Sequence, residues 1–495
     1  MNRRLSWALL SALMVLVIVL SLWGLNTRYT GLNVEEAIIG STPVTYYRGD
    51  ATAPRYPVIV THGFGGSRQM MEQISVSLAR QGFFVAALDF PGHGRNTVPL
   101  SPDISRIEGT TAQLVETVQT VSDAVLAHPD TMERISLLGH SMATDVIIRA
   151  ASEREDVDAL VAISMYSTAV TDRAPQSLLI LSGANERALR RVALEAVQQV
   201  EANAGEGQTA QSDGTERRSA VVPWVGHVGV LYAKTTFSEI SDWLRVRTGA
   251  GQMAQPDQSV WRAGRLLVAL TLLVWPLAQL LPRRAAADGA PVPAGVFWLC
   301  LAVPLPVSLI PALAPVFGVA GYASFGTLAA CLGLWGTAQI VILYMNGFRI
   351  PRPDLTGTLA YLVWAGVFAL VLDRYGAAFL PAGARGWVML GLMIGTLPLM
   401  MADARLMQAA PVWRRIVARI GLLVALSSAI ALAPRDLGLA FTVLPVLVLF
   451  FLVYGTVARW VAARRGPEGV MIGTAAALAW AIAASTPLFA AGGAP

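Results

Sequence analysis

Residues 135–150, ISLLGHSMATDVIIRA, carry the reading from which the fold follows. Ile135 to Leu138 form a short apolar run with the character of a buried strand, and Gly139-His140-Ser141-Met142 make a four-residue corner. A helix begins at once with Ala143 and Asp145. A serine at the tip of so sharp a strand-to-helix turn is held exposed, and the backbone N–H groups of the helix's first turn point at the oxyanion its attack would create. The corner packs against neighbouring backbone, so small residues must flank the serine. Here they are Gly139 and Ala143, giving G-x-S-x-A in place of G-x-S-x-G. Alone, such a pentapeptide describes a tight turn as well as it describes a nucleophile, and the rest of the chain must decide.

The 495 residues leave room for more than one domain, and a hydrophobic share of 54% with a mean hydropathy of +0.54 is too high for a purely soluble protein. The apolar runs lie at the N-terminus and after Arg265, whereas residues 30–251 have ordinary globular composition. The net charge of +5 conceals a split: residues 30–251 hold 18 Lys+Arg against 25 Asp+Glu, the remainder 19 against 7. An acidic domain is a poor partner for nucleic acid, and the arginines elsewhere have a topological reason. Cys300 and Cys331 both sit in apolar runs, which excludes a disulfide framework and a Cys-based metal site.

Arg3-Arg4 before the apolar run 7–23 reads as a signal peptide or an anchor. The bulky Leu22-Trp23-Gly24-Leu25-Asn26 offers no cleavage site and favours an uncleaved anchor, with the N-terminus inside and the next domain outside. Expected strands follow within residues 33–47 and at 57–61, 83–88, 135–138, 159–165, 177–181 and 219–222. Helices are expected at 69–80, 110–127, 184–200 and 228–245, with a polar loop at 201–217. Strand and helix alternate in the rhythm of a parallel sheet.

Four motifs punctuate that rhythm: His62-Gly63-Phe64 after the third strand, Asp89-Phe90-Pro91-Gly92-His93-Gly94 after the fourth, Gly139-His140-Ser141-Met142-Ala143 after the fifth, and Gly226-His227 after the eighth. In type and order they resemble the α/β-hydrolase superfamily of serine hydrolases, over roughly residues 33–247. The resemblance implies an α/β domain with a mostly parallel sheet flanked by helices, and a nucleophile–base–acid triad. Ser141 takes the place of the nucleophile and His227, in the loop after the last strand, that of the base. For the acid the family has aspartate in a G-x-x-D pattern, and Gly183-Ala184-Asn185-Glu186 puts glutamate in that slot. Glu186 would serve with one more methylene of reach, or would simply favour the start of the following helix; Asp172 is the alternative. By family position the oxyanion hole is made by the N–H groups of Phe64 and Met142. No metal or organic cofactor is called for. Only residues 166–176 separate the sixth and seventh strands, too few for a large lid, which suits a bulky, extended or membrane-presented substrate.

Beyond the linker, apolar runs recur at 266–281, 295–316, 323–344, 356–372, 387–401, 416–433, 437–457 and 470–490, eight candidate spans in an all-α membrane domain, nine with the anchor. Arg283, Arg284, Arg349, Arg352, Arg405, Arg414, Arg415, Arg459, Arg464 and Arg465 fall in the expected inner loops. The outer loops hold only Arg374, Arg385 and Arg435. Within the runs Arg419 is the one ionisable residue, which disfavours proton-coupled transport. The organisation read from the sequence is thus an anchor over 1–29, an extracytoplasmic hydrolase domain over 30–250, a linker over 251–264 and a polytopic domain over 265–495. The expected setting is a bacterial-type inner membrane, with the lipid bilayer and an ester or acyl substrate as partners. Hydrolysis and acyl transfer to another alcohol use the same triad, and a non-catalytic binding or transport component on the same fold is the reading from a different class.

Overall fold

The computed structural model describes residues 3–50, 53–104, 106–251, 254–284, 290–314 and 318–491. Part of the expected linker (252 and 253) and the expected end of the second apolar run (315 and 316) lie outside them. The chain divides into two compact units. One comprises Leu22–Ala263 with Arg374–Ala378; the other comprises Met1–Ser21, Gly264–Asp373 and Phe379–Pro495.

The first unit is built on a nine-stranded sheet: β1 (Leu32–Ile39), β2 (Thr42–Gly49), β3 (Pro57–Thr61), β4 (Phe84–Leu88), β5 (Ile135–His140), β6 (Val157–Ile163), β7 (Ser177–Gly183), β8 (Thr209–Ser212) and β9 (Thr215–Val222). Their order is β1-β2-β4-β3-β5-β6-β7-β9-β8. From β4 through β9 the pairs are parallel, while β1, β2 and β8 are antiparallel additions at the two edges. The central strands β3, β4 and β5 are buried at every position, because helices cover both faces and no residue can alternate out to water. On one face Val58, Val60, Val85, Val161 and Leu179 pack with Ile74 and Leu78 of α2 (Glu72–Arg80) and with Phe237, Ile240 and Trp243 of α6 (Lys234–Thr248). On the other, Ile59, Leu137 and Leu160 are fully buried near α3 (Ala112–Leu126) and α4 (Met142–Ser152). Truncating one of these central side chains, Ile59→Ala for example, should cost about 2–5 kcal/mol.

The expected loop at 201–217 is a correction. It contains β8 and the first three residues of β9, joined by Asp213-Gly214, both with positive φ (45° and 78°). An Asp-Gly pair with that backbone is a two-residue hairpin turn whose twist matches the flanking strands. The polar composition of Thr209–Ser212 hid it, because an edge strand exposed on most positions needs no apolar alternation. Consequently the strand that precedes His227 is the ninth in the chain.

The second unit is helical. Among the described residues of the chain, eight helices, three of which run into the first unit, are long and apolar enough to cross a membrane: Leu5–Tyr29, Ser259–Ala278, Ala294–Leu313, Phe325–Met345, Leu355–Tyr375, Ala384–Leu406, Val412–Leu432 and Ala440–Arg465. Pro304, Pro306 and Pro311 break the third into short pieces, since each removes an amide donor and clashes with the preceding turn. The ninth expected span is only the 15-residue helix Met471–Ser485. At 1.5 Å per residue it falls short of a hydrocarbon core about 30 Å thick. Helices Phe325–Met345 and Ala384–Leu406 approach through glycine: a Cβ on Gly336 would lie 2.2 Å from Leu399 N, and one on Gly395 2.1 Å from Ala329 O. Such contacts let membrane helices pack backbone to backbone. The helices outrun the apolar stretches, so Ala384–Leu406 includes Asp403, which forms a bidentate pair with Arg419. Arg419 is therefore not a lone charge.

Candidate active site

The corner after β5 sets the site. Ser141 has φ 54° and ψ −118°, a conformation that L-residues adopt only where the surroundings impose it. Those surroundings are visible. Ser141 N–H donates to Ile163 O (2.8 Å), Thr144 Oγ1 donates back to Ser141 O (2.7 Å), and α4 starts at the next residue, Met142. A Cβ on Gly139 would stand 2.8 Å from Ala143 O, so the corner closes only with glycine there. The loop after β3 comes equally near, since a Cβ on Gly63 would lie 3.0 Å from that of Ser141. Phe64 is the next residue, and Met142 opens the helix, so both expected oxyanion donors belong to segments bordering the serine.

Ser141, His227 and Glu186, distant in sequence, form one hydrogen-bonded chain. The Ser141 hydroxyl donates to His227 Nε2 at 2.8 Å, and His227 Nδ1–H donates to Glu186 Oε1 at 2.6 Å. Glu186 Oε2 accepts from Gly183 N–H (2.6 Å) and from the Ser164 hydroxyl (2.8 Å). Burial works to raise this carboxyl, but the hydrogen bonds from His227, Gly183 and Ser164 outweigh it and hold the group below the usual carboxylate range. The Glu186 side chain is 6% exposed, against 47% for His227: the carboxylate is sheltered while the imidazole faces the solvent side. Asp172 is exposed in the loop after β6 and makes no such contact with His227; its charge acts on Arg217.

Two neighbours were not legible as participants. His140 donates from Nε2 to the backbone carbonyl of His227 (2.8 Å), and its ring lies 4.9 Å from that of His227. A carbonyl only accepts, so the proton of a neutral His140 is on Nε2. Burial pushes this imidazole down to about 4. Ser164 holds the acid from the end of β6, where its own φ is 55°. Nothing in the sequence distinguishes it from other serines.

The two outer motifs brace the loops. His62 donates from Nδ1 to Gly63 O (2.8 Å) and accepts the Phe90 N–H at Nε2 (3.1 Å), tying the two loops together. Asp89, wholly buried, accepts from the Arg68 and Arg95 N–H groups (2.8 and 3.0 Å) and from the Arg68 guanidinium (3.1 Å). Between β6 and β7 no helix intervenes, and Tyr166 stands exposed there. Among the described residues no group of three His, Cys, Asp or Glu is arranged to hold a metal.

A family model described as serine aminopeptidase, S33 matches residues 52–222, which include Ser141 and Glu186 and end five residues before His227. Comparison with curated proteins gives no match. Similar solved structures include a CIB-like hydrolase of Thermoplasma acidophilum (17% identity, 44% of this chain and 98% of that one, TM-score 0.35). Others are a dienelactone hydrolase of Anabaena variabilis (17%, 45% and 100%, 0.35) and a bacterial membrane phospholipase A (15%, 49% and 92%, 0.33). The family match runs through the sheet from β3 to β9 and across the elbow, and by it this part of the chain is a serine hydrolase domain of the α/β-hydrolase superfamily.

Proposed function

We propose that Ser141, His227 and Glu186 are the catalytic triad of an esterase that works through an acyl-enzyme. The observation that carries the reading is the unbroken chain Ser141 Oγ, His227 Nε2, His227 Nδ1, Glu186 Oε1 at 2.8 and 2.6 Å. His227 takes the Ser141 proton as Oγ bonds to the acyl carbon, with the new oxyanion held by the Phe64 and Met142 N–H groups. The imidazolium then gives that proton to the departing alkoxide. A water, deprotonated by the same nitrogen, attacks the acyl-enzyme, and the imidazolium returns that proton to Ser141 Oγ as the carboxylic acid is released. Glu186 stays ionised throughout and fixes Nδ1–H.

The substrate is an ester whose acyl group is borne by a lipid or the cell envelope, and the eight apolar helices support that reading by holding the whole chain at a bilayer. Residues 30–250 serve as the catalytic body and 265–495 as the membrane part of a protein of bacterial inner-membrane type, with the hydrolase outside. The arginine asymmetry of the loops supports this orientation. The full-length protein, reconstituted, is expected to hydrolyse a short soluble ester and, faster at equal acyl concentration, the same acyl group as a lipid ester in liposomes. Equal rates would remove the membrane-borne substrate from the proposal. The family description brings in a second bond type, the amide, and an aminoacyl anilide in the same assay reads it directly.

A further inference from the structure

The helical unit holds a cavity of about 560 Å3 bordered by the helices Ala384–Leu406, Val412–Leu432 and Ala440–Arg465. Small-molecule sites span roughly 300–1,000 Å3. Three arginines line it, Arg415, Arg419 and Arg459, against a single carboxylate, Asp403. That carboxylate is committed to Arg419, Nη2 to Oδ2 at 2.8 Å, and the same guanidinium lies 3.8 Å over the Phe451 ring. Arg459 lies within electrostatic range of both Arg415 and Arg419 and bonds only to Thr456 Oγ1 (2.8 Å), while Arg415 Nε is buried with no hydrogen-bond partner. Among the described residues neither Arg415 nor Arg459 is paired with a carboxylate. Two positive charges, one half-buried (Arg415) and one exposed (Arg459), thus face one cavity without a carboxylate partner and leave their guanidinium groups open to an anion.

Apart from the uncharged polar Gln408 and Thr474, the remaining wall is mainly apolar, with Met400, Phe450, Phe451 and Val470. A small hydrated anion would gain nothing from that surface, whereas an acyl chain would. Guanidinium groups recognise phosphate and carboxylate oxygens in bidentate fashion, and basic pockets between membrane helices accept anionic head groups. We infer that this cavity binds an anionic acyl amphiphile, its phosphate or carboxylate oxygens held by Arg415 and Arg459 and its chain lying along Met400 and Phe450. The site shares no residue with the proposed triad, so the two stand or fall separately.

The test uses the full-length protein in non-ionic detergent, following its thermal unfolding midpoint as dioleoylphosphatidylglycerol, oleate, dioleoylphosphatidylcholine or glycerol phosphate is added. The first two carry the chemistry of the site. Stabilisation by the phosphatidylglycerol identifies a phospholipid head, and by oleate a carboxylate. The Arg415→Gln/Arg459→Gln double variant should weaken the apparent affinity about tenfold or more. Arg349→Gln/Arg352→Gln, which removes two exposed arginines outside the cavity, should leave it unchanged. Arg459→Lys, which keeps the charge and loses the fork, should fall between them and guards against misfolding of the double variant. Equal stabilisation by phosphatidylcholine, an equal effect of glycerol phosphate, or equal losses in the two double variants would each overturn the inference.

Discussion

His140 and His227 are joined by a hydrogen bond of 2.8 Å, from His140 Nε2 to the backbone carbonyl of His227. The residue before the elbow serine thereby fixes the loop carrying the proposed base, and both ends of the Ser141–His227 contact are referenced to one imidazole. Displacing a reacting group by about 1 Å can cost around a hundredfold. His140→Leu, which keeps bulk and loses the donor, is therefore expected to lower kcat roughly ten- to a hundredfold with KM little changed. His140→Gln, which can still donate, should recover part of it. Steady-state kinetics on a soluble ester reads both; an unchanged kcat in His140→Leu would show the bond to be structural.

The same residue predicts a pH dependence. Burial holds its imidazole at about 4 in the folded protein, below the ordinary value near 6.5. The unfolded chain therefore binds the proton more tightly, and the stability contributed by neutral His140 is full above pH 6.5 and is lost as pH falls towards 4. Hydrogen-exchange protection of β5 and α4 should decline across that window in the wild type and less steeply in His140→Gln. His62, whose imidazole burial also lowers, acts in the same direction, so the comparison with the variant isolates His140.

In the proposed triad, Glu186→Gln removes the charge that would steady the His227 imidazolium, and it is expected to cost about 10²–10⁴ in kcat. Asp172→Asn, at an exposed position, should stay within about threefold of the wild type. The opposite ranking would move the acid to the earlier loop.

The elbow makes its own prediction. A methyl on Gly139 meets Ala143 O at 2.8 Å, so Gly139→Ala must shift the corner, at about 1–3 kcal/mol and with loss of most activity. Ala143→Gly should keep both. Denaturation midpoints and ester turnover measured together separate the two effects.

What the sequence disclosed and what it withheld have physical reasons. The parallel strands were readable because burial on both faces makes them short unbroken apolar runs, as in Pro57–Thr61. Ser141, His227 and Glu186 were named from motif order, and the structure brings the three together. Strand β8 is not legible because an exposed edge strand carries no apolar pattern, although Asp213-Gly214 marks its turn. The roles of His140 and Ser164 depend on contacts 87 and 22 residues away, to which local spacing is blind. Asp403 falls outside the apolar run at 387–401, because composition marks the end of the run while the helix continues through the charge to pair it with Arg419.

Orientation is testable without any substrate. Reporter fusions near Gly205 and near Arg464 should show opposite sidedness, with Gly205 outside. A cytoplasmic signal from both would mean that the N-terminal helix does not carry the hydrolase across.

The claim that Ser141 is the covalent nucleophile has the most direct test. A fluorophosphonate probe transfers its phosphonyl group to an activated serine, so the full-length wild type should label at Ser141 and Ser141→Ala should not, with His227→Ala strongly reduced. Labelling of Ser141→Ala equal to that of the wild type would contradict the account.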